Sequence, residues 1–210
     1  MPGLSLWFVP REGNPFTKTV QGLISDEIPR QFYLPDGKVN TFAPHVTVTS
    51  DIDEKIRDSA QDWLDKLDFP EFKQEHNEVL IELDTVEAED PFFRKCNISV
   101  TDNANLRTVC AIGRKAAGLD EEFAHNTTKF RPHLSLLYAD IDTADVKKKV
   151  PLIETKIGFH IGDIFACCGG SLCLGGSLVL VDTTKPIDEW KTIASRETPW
   201  VVWKATRNLL

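Results

Sequence analysis

Phe42-Ala43-Pro44-His45-Val46-Thr47-Val48 and Phe130-Arg131-Pro132-His133-Leu134-Ser135-Leu136 share one frame, Phe-x-Pro-His-apolar-hydroxyl-apolar, written once in each half of the chain. In 210 residues of this composition, chance rarely supplies a second copy of so specific a frame. Each copy reads as a short β-strand, because apolar and β-branched residues follow a proline, which is tolerated at a strand's first position. Side chains alternate between the faces of a strand. His45 and Thr47 therefore point one way and Val46 and Val48 the other, while His133 and Ser135 oppose Leu134 and Leu136. Each strand buries one face and offers an imidazole and a hydroxyl on the other. The repeat predicts an α+β fold of two pseudo-symmetric lobes, with antiparallel sheets flanked by helices and a central cleft carrying both motifs. Residues 1–210 would form this one domain.

Two imidazoles and two hydroxyls facing one cleft suit phosphodiester hydrolysis without a metal or other cofactor. One neutral imidazole takes a proton from water, and one imidazolium gives a proton to the leaving alkoxide; the ordinary histidine pKa, about 6.5, serves both roles. Charge building on the non-bridging phosphoryl oxygens needs donors that do not change protonation, which Thr47 and Ser135 can supply. The residues alone do not say which histidine is acid and which is base.

The paired His-x-Ser/Thr-x motifs resemble those of the 2H phosphoesterase superfamily, and the similarity is closest to its cyclic phosphodiesterase branch. Ser5-Leu6-Trp7-Phe8-Val9-Pro10, the prolines before each histidine, and Tyr138 five residues after His133 are also similar to that branch, in order over roughly Leu4 to Asp182. The resemblance implies opening of a 2′,3′-cyclic nucleotide to the 2′-phosphate, or of ADP-ribose 1″,2″-cyclic phosphate to ADP-ribose 1″-phosphate, downstream of tRNA splicing. It implies His133 as the base on water, His45 as the acid, and Thr47 and Ser135 as phosphate ligands. Tyr138 and Trp7 would line the substrate side of the cleft. Two other readings stand beside it: an RNA end-processing member of the superfamily, and a nucleotide-binding protein without catalysis.

Net charge decides between partners. Binding a long nucleic acid means neutralising many phosphates with Lys and Arg, and this chain carries −8 overall. A small nucleotide is expected as substrate, no long nucleic acid as partner, and a monomer. No run approaches the length of a membrane helix, and Leu4 to Val9 is too short and lacks the basic flank of a signal peptide. These features predict an intracellular, cytoplasmic protein, with association with endomembranes or Golgi resting on the resemblance alone. Cys96, Cys110, Cys167, Cys168 and Cys173 lack metal-ligand spacing and read as reduced thiols. His76 and His125 read as surface residues and His160 as structural; Lys129 and Arg131, beside the second motif, read as solvated.

Outside the motifs, helical spacing runs through Phe16, Val20, Leu23, Ile24 and Ile28, and again through Ile52, Ile56, Ala60, Trp63 or Leu64, and Leu67. Val79 to Val86 and Arg94 to Val100 read as strands joined by an acidic turn, and Ala104 to Ala117 as a helix stopped at Gly118. A short helix over Thr143–Val150 is predicted, then strands over Lys156–Ala166 and Ser177–Val181. Gly169-Gly170 and Gly175-Gly176 read as turns or bulges rather than a phosphate loop, since neither precedes Gly-Lys-Ser/Thr. The tail from Trp200 is expected to pack loosely or mediate contacts.

Overall fold

A computed structural model describes residues 3–35, 37–74, 76–164 and 170–206. Among these residues nine strands form one curled, mixed sheet: β1 (Leu4–Pro10), β2 (Val46–Ile52), β3 (Val79–Glu87), β4 (Cys96–Val100), β5 (His133–Leu137), β6 (Gly170–Leu174), β7 (Gly176–Asp182), β8 (Lys191–Glu197) and β9 (Val201–Thr206). They lie in the order β6-β9-β3-β4-β5-β2-β1-β7-β8. Every neighbouring pair is antiparallel except β3 with β9.

The two motif strands meet in the middle of this order, antiparallel about Val46 and Leu134. Their junction separates β2-β1-β7-β8 from β5-β4-β3-β9-β6, which are the two lobes of an α+β fold. Val46, Leu134, Leu136, Leu6 and Ile98 are fully buried on the side away from the histidines. This is the outcome that period two requires when one face of a strand is core.

Four α-helices are described: α1 (Pro15–Gly22), α2 (Ala60–Asp65), α3 (Ala104–Ala116) and α4 (Thr143–Ile164). Asn14 caps α1, its side-chain oxygen accepting from the Phe16 N–H at 2.9 Å ahead of Pro15. Asn103 caps α3 in the same way through Leu106. Gly118 follows α3 at φ +71°, as a helix C-terminus favours. Helix α3 packs on β2 and β3, α2 on β8, and α4 on α1, β3 and β6. Gly113 lets α3 approach the sheet closely, because a Cβ there would stand 2.9 Å from the Leu6 side chain.

Two expectations fail in the C-terminal third. The residues read as a short helix and then a strand from Lys156 form one helix, α4, through Ile164. Val146, Ile153 and Ile157 are fully buried at helical spacing, and that stripe outweighs the local β-branched character. As far as Thr206, the tail does not pack loosely: β9 pairs with both β3 and β6, and Trp203 is fully buried. Gly175 (φ +75°) and Gly176 (φ +156°) make the corner between β6 and β7, the turn expected of them; Gly169 lies outside the described residues. Cys96, Cys110 and Cys173 are buried free thiols, the first two pushed up to about 12 by burial; Cys167 and Cys168 lie outside the described residues, as does the side chain of His160. No helix among the described residues is long and apolar enough to cross a membrane.

Candidate active site

The site begins with two prolines. A residue before proline is held in extended conformation, and here that fixes the direction of the Ala43 and Arg131 carbonyls. Each carbonyl accepts from the histidine two residues on, His45 Nδ1 at 2.6 Å and His133 Nδ1 at 2.9 Å. A carbonyl only accepts, so in both rings Nδ1 carries the hydrogen and the neutral form leaves its lone pair on Nε2. The two halves of the repeat thus build the same local structure.

Strand pairing sets the rest. With Val46 opposite Leu134, the antiparallel register brings His45 beside Ser135 and Thr47 beside His133, all on one face. Trp7 pairs with Thr47 on the other side and Ser99 with His133, so a single row runs across the sheet through both lobes.

His45 is buried at 3% exposure. Its ring stacks on Trp7 with centroids 3.8 Å apart and planes 12° apart, and Phe42 meets it edge-on at 5.9 Å. The Tyr138 hydroxyl stands 3.4 Å from His45 Nε2 and, given the tautomer, is the donor. Tyr138 is itself stacked on Phe42 at 3.9 Å, and its burial pushes the phenol well above its ordinary pKa. The histidine's own burial drives its pKa down to about 4, against the bond to Ala43; charge on His133 would lower it further.

His133 is half-buried, at the open side of the row. Desolvation also holds it down to about 4, opposed by the Arg131 carbonyl, with Arg94 pushing it lower and Glu89 pulling it up. Those neighbours form a small ion-pair network. Glu89 takes Arg94 at 2.7 Å and Arg131 at 3.0 Å, and Glu87 takes the other nitrogen of Arg131 at 3.0 Å. Arg131 is therefore not merely solvated, as its position beside the motif suggested, whereas Lys129 is exposed. His76 and His125 are exposed, away from the row.

The two hydroxyls differ. Thr47 is half-buried, and its hydroxyl has no hydrogen-bond partner among the described residues. Ser135 is buried and donates to the Phe93 carbonyl at 3.2 Å. All six expected residues, His45, His133, Thr47, Ser135, Tyr138 and Trp7, belong to one continuous cluster.

Sequence reasoning missed Trp190, which touches Trp7 at 5.5 Å from one lobe and Phe93 and Tyr138 at 6.1 Å from the other. Its only sequence signal was an exposed-looking tryptophan after a Pro-Ile-Asp-Glu turn. Chemically, the set presents two nitrogen bases and two hydroxyl donors inside an aromatic wall. Among the described residues no three His, Cys, Asp or Glu side chains are grouped to hold a metal ion.

Known proteins are similar in sequence to this chain over most of its length. It is 32% identical over 207 residues to the 2′,3′-cyclic-nucleotide 3′-phosphodiesterase of Phaeosphaeria nodorum, covering 94% of this chain and 100% of that protein. It is 28% identical over 214 residues to the protein of the same name from Neurospora crassa, covering 93% and 99% respectively. A Kluyveromyces lactis protein of that name is 28% identical over 162 residues, 74% of this chain and 72% of its own length. The model of the cyclic phosphodiesterase-like proteins matches residues 1–198, and the chain belongs to that family of 2H phosphoesterases.

Proposed function

We propose that the protein hydrolyses 2′,3′-cyclic nucleotides to nucleoside 2′-phosphates, using His133 and His45 for the two proton transfers and Thr47 and Ser135 to hold the phosphate. The observation that carries this is the juxtaposition of two identically tethered imidazoles and two hydroxyls on adjacent antiparallel strands. The activity printed for the relatives supports the substrate class. ADP-ribose 1″,2″-cyclic phosphate carries the same strained ring and is expected to be opened by the same groups.

In this reading His133, kept neutral chiefly by desolvation with a smaller push from Arg94, takes a proton from water on Nε2 as the water oxygen attacks phosphorus. The Thr47 hydroxyl, and Ser135 once it turns from the Phe93 carbonyl, donate to the non-bridging oxygens as their charge grows. The P–O3′ bond breaks, and a proton from His45 Nε2 neutralises the alkoxide. His45 is too buried to hold that proton in the empty site near neutral pH, since its pKa is about 4. An anionic phosphate a few ångströms away raises it, so the acid is charged only when substrate is bound. The Ala43 carbonyl keeps Nδ1 protonated throughout, which leaves Nε2 as the exchanging atom.

The test is turnover of 2′,3′-cyclic AMP in EDTA, with the product identified by phosphorus NMR, for wild type and His133→Ala. Conversion to the 2′-phosphate, reduced at least about 10²-fold in a folded His133→Ala variant, is expected from loss of one general acid–base group. No conversion by folded wild type sinks the reading. Activity that EDTA abolishes and added metal restores sinks the mechanism.

A further inference from the structure

The two imidazoles are tethered alike and desolvated alike, but their surroundings differ. His45 is boxed by Trp7, Phe42 and Tyr138, and the charge bearing on it is that of His133. Beside His133 lies a cavity of about 190 Å³ whose lining includes Arg94, Arg131, Pro132 and Ser99, the last paired with His133 across β4 and β5. Among the groups facing His133, Arg94 and Arg131 disfavour its charged form and Glu89 favours it. From β2 it meets His45, and from β4 the uncharged Ser99. Arg131 is paired with both Glu87 and Glu89, which leaves Arg94 as the stronger of the two cations at this ring.

Arg94 is held there against its own solvation. Its side chain is 22% exposed, and its Nε hydrogen is buried without an acceptor among the described residues. Leaving a buried donor unpaired is unfavourable, so an ion pair made only for stability gives no reason for this position. Other buried groups fix it. Asn97, fully buried, donates its amide to the Arg94 carbonyl at 3.1 Å, and Glu89 takes the guanidinium at 2.7 Å. Glu89 is braced from behind: its carbonyl accepts from Thr143 at 3.3 Å, and the buried Lys95 donates to Thr143 at 3.0 Å and to the Asp90 carbonyl at 2.9 Å.

We infer that Arg94 is a positioning residue acting through His133: braced by Glu89 beside that imidazole, its charge makes His133, and not His45, the base of the pair. The inference rests on the proposed two-histidine hydrolysis and gives a physical reason for the roles within it. Desolvation acts on both rings and distinguishes neither. An anionic phosphate bound between them favours the charged form of both. Arg94 opposes that change at His133 alone, so the proton that comes with substrate settles on His45, and His133 stays neutral to take one from water. After ring opening His45 has given its proton to the O3′ alkoxide and His133 holds the one from water, whose release the guanidinium favours.

The test is an NMR titration of both imidazoles, in the free protein and with saturating adenosine 2′-monophosphate, alongside kcat–pH profiles for 2′,3′-cyclic AMP. With the nucleotide bound, His45 should titrate above His133 in wild type. In Arg94→Gln the His133 midpoint should rise by about half a pH unit or more, free or bound, with the acid limb of kcat moving up alongside it and His45 unmoved in the free protein. Arg94→Lys keeps the charge and should resemble wild type. Glu89→Gln removes the opposing charge and should move His133 the other way. A loosened fold would send the imidazoles toward their ordinary pKa, about 6.5, in either variant, so opposite signs separate charge from a structural role. A His133 midpoint that stays put in Arg94→Gln, moves the same way in both variants, or lies above that of His45 in nucleotide-bound wild type overturns the inference, as does an acid limb that stays put. Should folded wild type cleave no cyclic nucleotide, the hydrolytic reading fails by itself, and the opposite shifts of His133 in the free protein still decide the role of Arg94.

Discussion

Thr47 and Ser135 occupy equivalent places in the repeat, yet their hydroxyls are in different states, and substitution should separate them. Thr47 has no partner among the described residues, so Thr47→Val keeps the β-branched shape and removes only the donor. It should lower kcat about 10²-fold, the scale for one oxyanion donor, with the melting temperature nearly unchanged. Ser135→Ala leaves the Phe93 carbonyl without its donor as well, and should lower activity and also stability, by about 1 kcal/mol. Activity assays paired with thermal melts check the contrast; equal melting temperatures would contradict the Phe93 bond. The two imidazoles make a second prediction. Both are held at about 4 in the empty site, chiefly by desolvation. The profile of kcat/KM, which reports the free enzyme, should thus lie at lower pH than that of kcat, which reports the complex with an anion bound. Profiles that coincide would show that substrate does not raise the histidine pKa values.

At the scale of elements, the corner between β6 and β7 separates two neighbouring glycines by what surrounds them. A Cβ at Gly176 would be driven into the Val9 carbonyl oxygen, and φ +156° is itself closed to other residues, so Gly176→Ala should cost about 2 kcal/mol or more. Gly175 at φ +75° faces only the flexible end of Arg11, and Gly175→Asn should cost under about 1 kcal/mol, since asparagine tolerates that region. Urea unfolding of both variants decides it; similar losses would mean the corner is not built as described. That corner was legible as a turn, because glycine pairs without a phosphate-loop signature leave little else. The strands β2 and β5 were legible too, with their faces and the side on which both histidines stand, because period two and a pre-strand proline are local properties. Helix α4 was not. Pro151 and the β-branched Ile153 and Ile157 argue locally against a long helix, and only the burial of the two isoleucines settles the matter. Trp190 escaped for the same reason: nothing near it in sequence indicates Trp7, which reaches it through the pairing of β1, β7 and β8.

For the whole molecule, placing His45 at the head of β2, beside the central strand of a nine-stranded sheet, ties the site's protonation to global stability. In the unfolded chain this imidazole titrates near its ordinary 6.5, and in the folded protein burial holds it at about 4. Between those values the unfolded state binds a proton that the folded state refuses, so stability falls as pH drops from about 6.5 toward 4. The full loss from His45 is roughly 3 kcal/mol, a large share of an ordinary domain's stability. His45→Gln removes the titration while keeping a side-chain amide that can donate to the Ala43 carbonyl. Urea unfolding at pH 7, 6 and 5 should therefore show wild type losing stability faster than the variant, the gap closing by about 2 kcal/mol over that range. Ordinary carboxylates titrate mostly below this window and affect both proteins alike, so parallel slopes would mean that His45 is not buried in its neutral form. Adding adenosine 2′-monophosphate should reduce the wild-type slope, because a bound phosphate lets the folded protein accept a proton on His45, as the proposed mechanism needs.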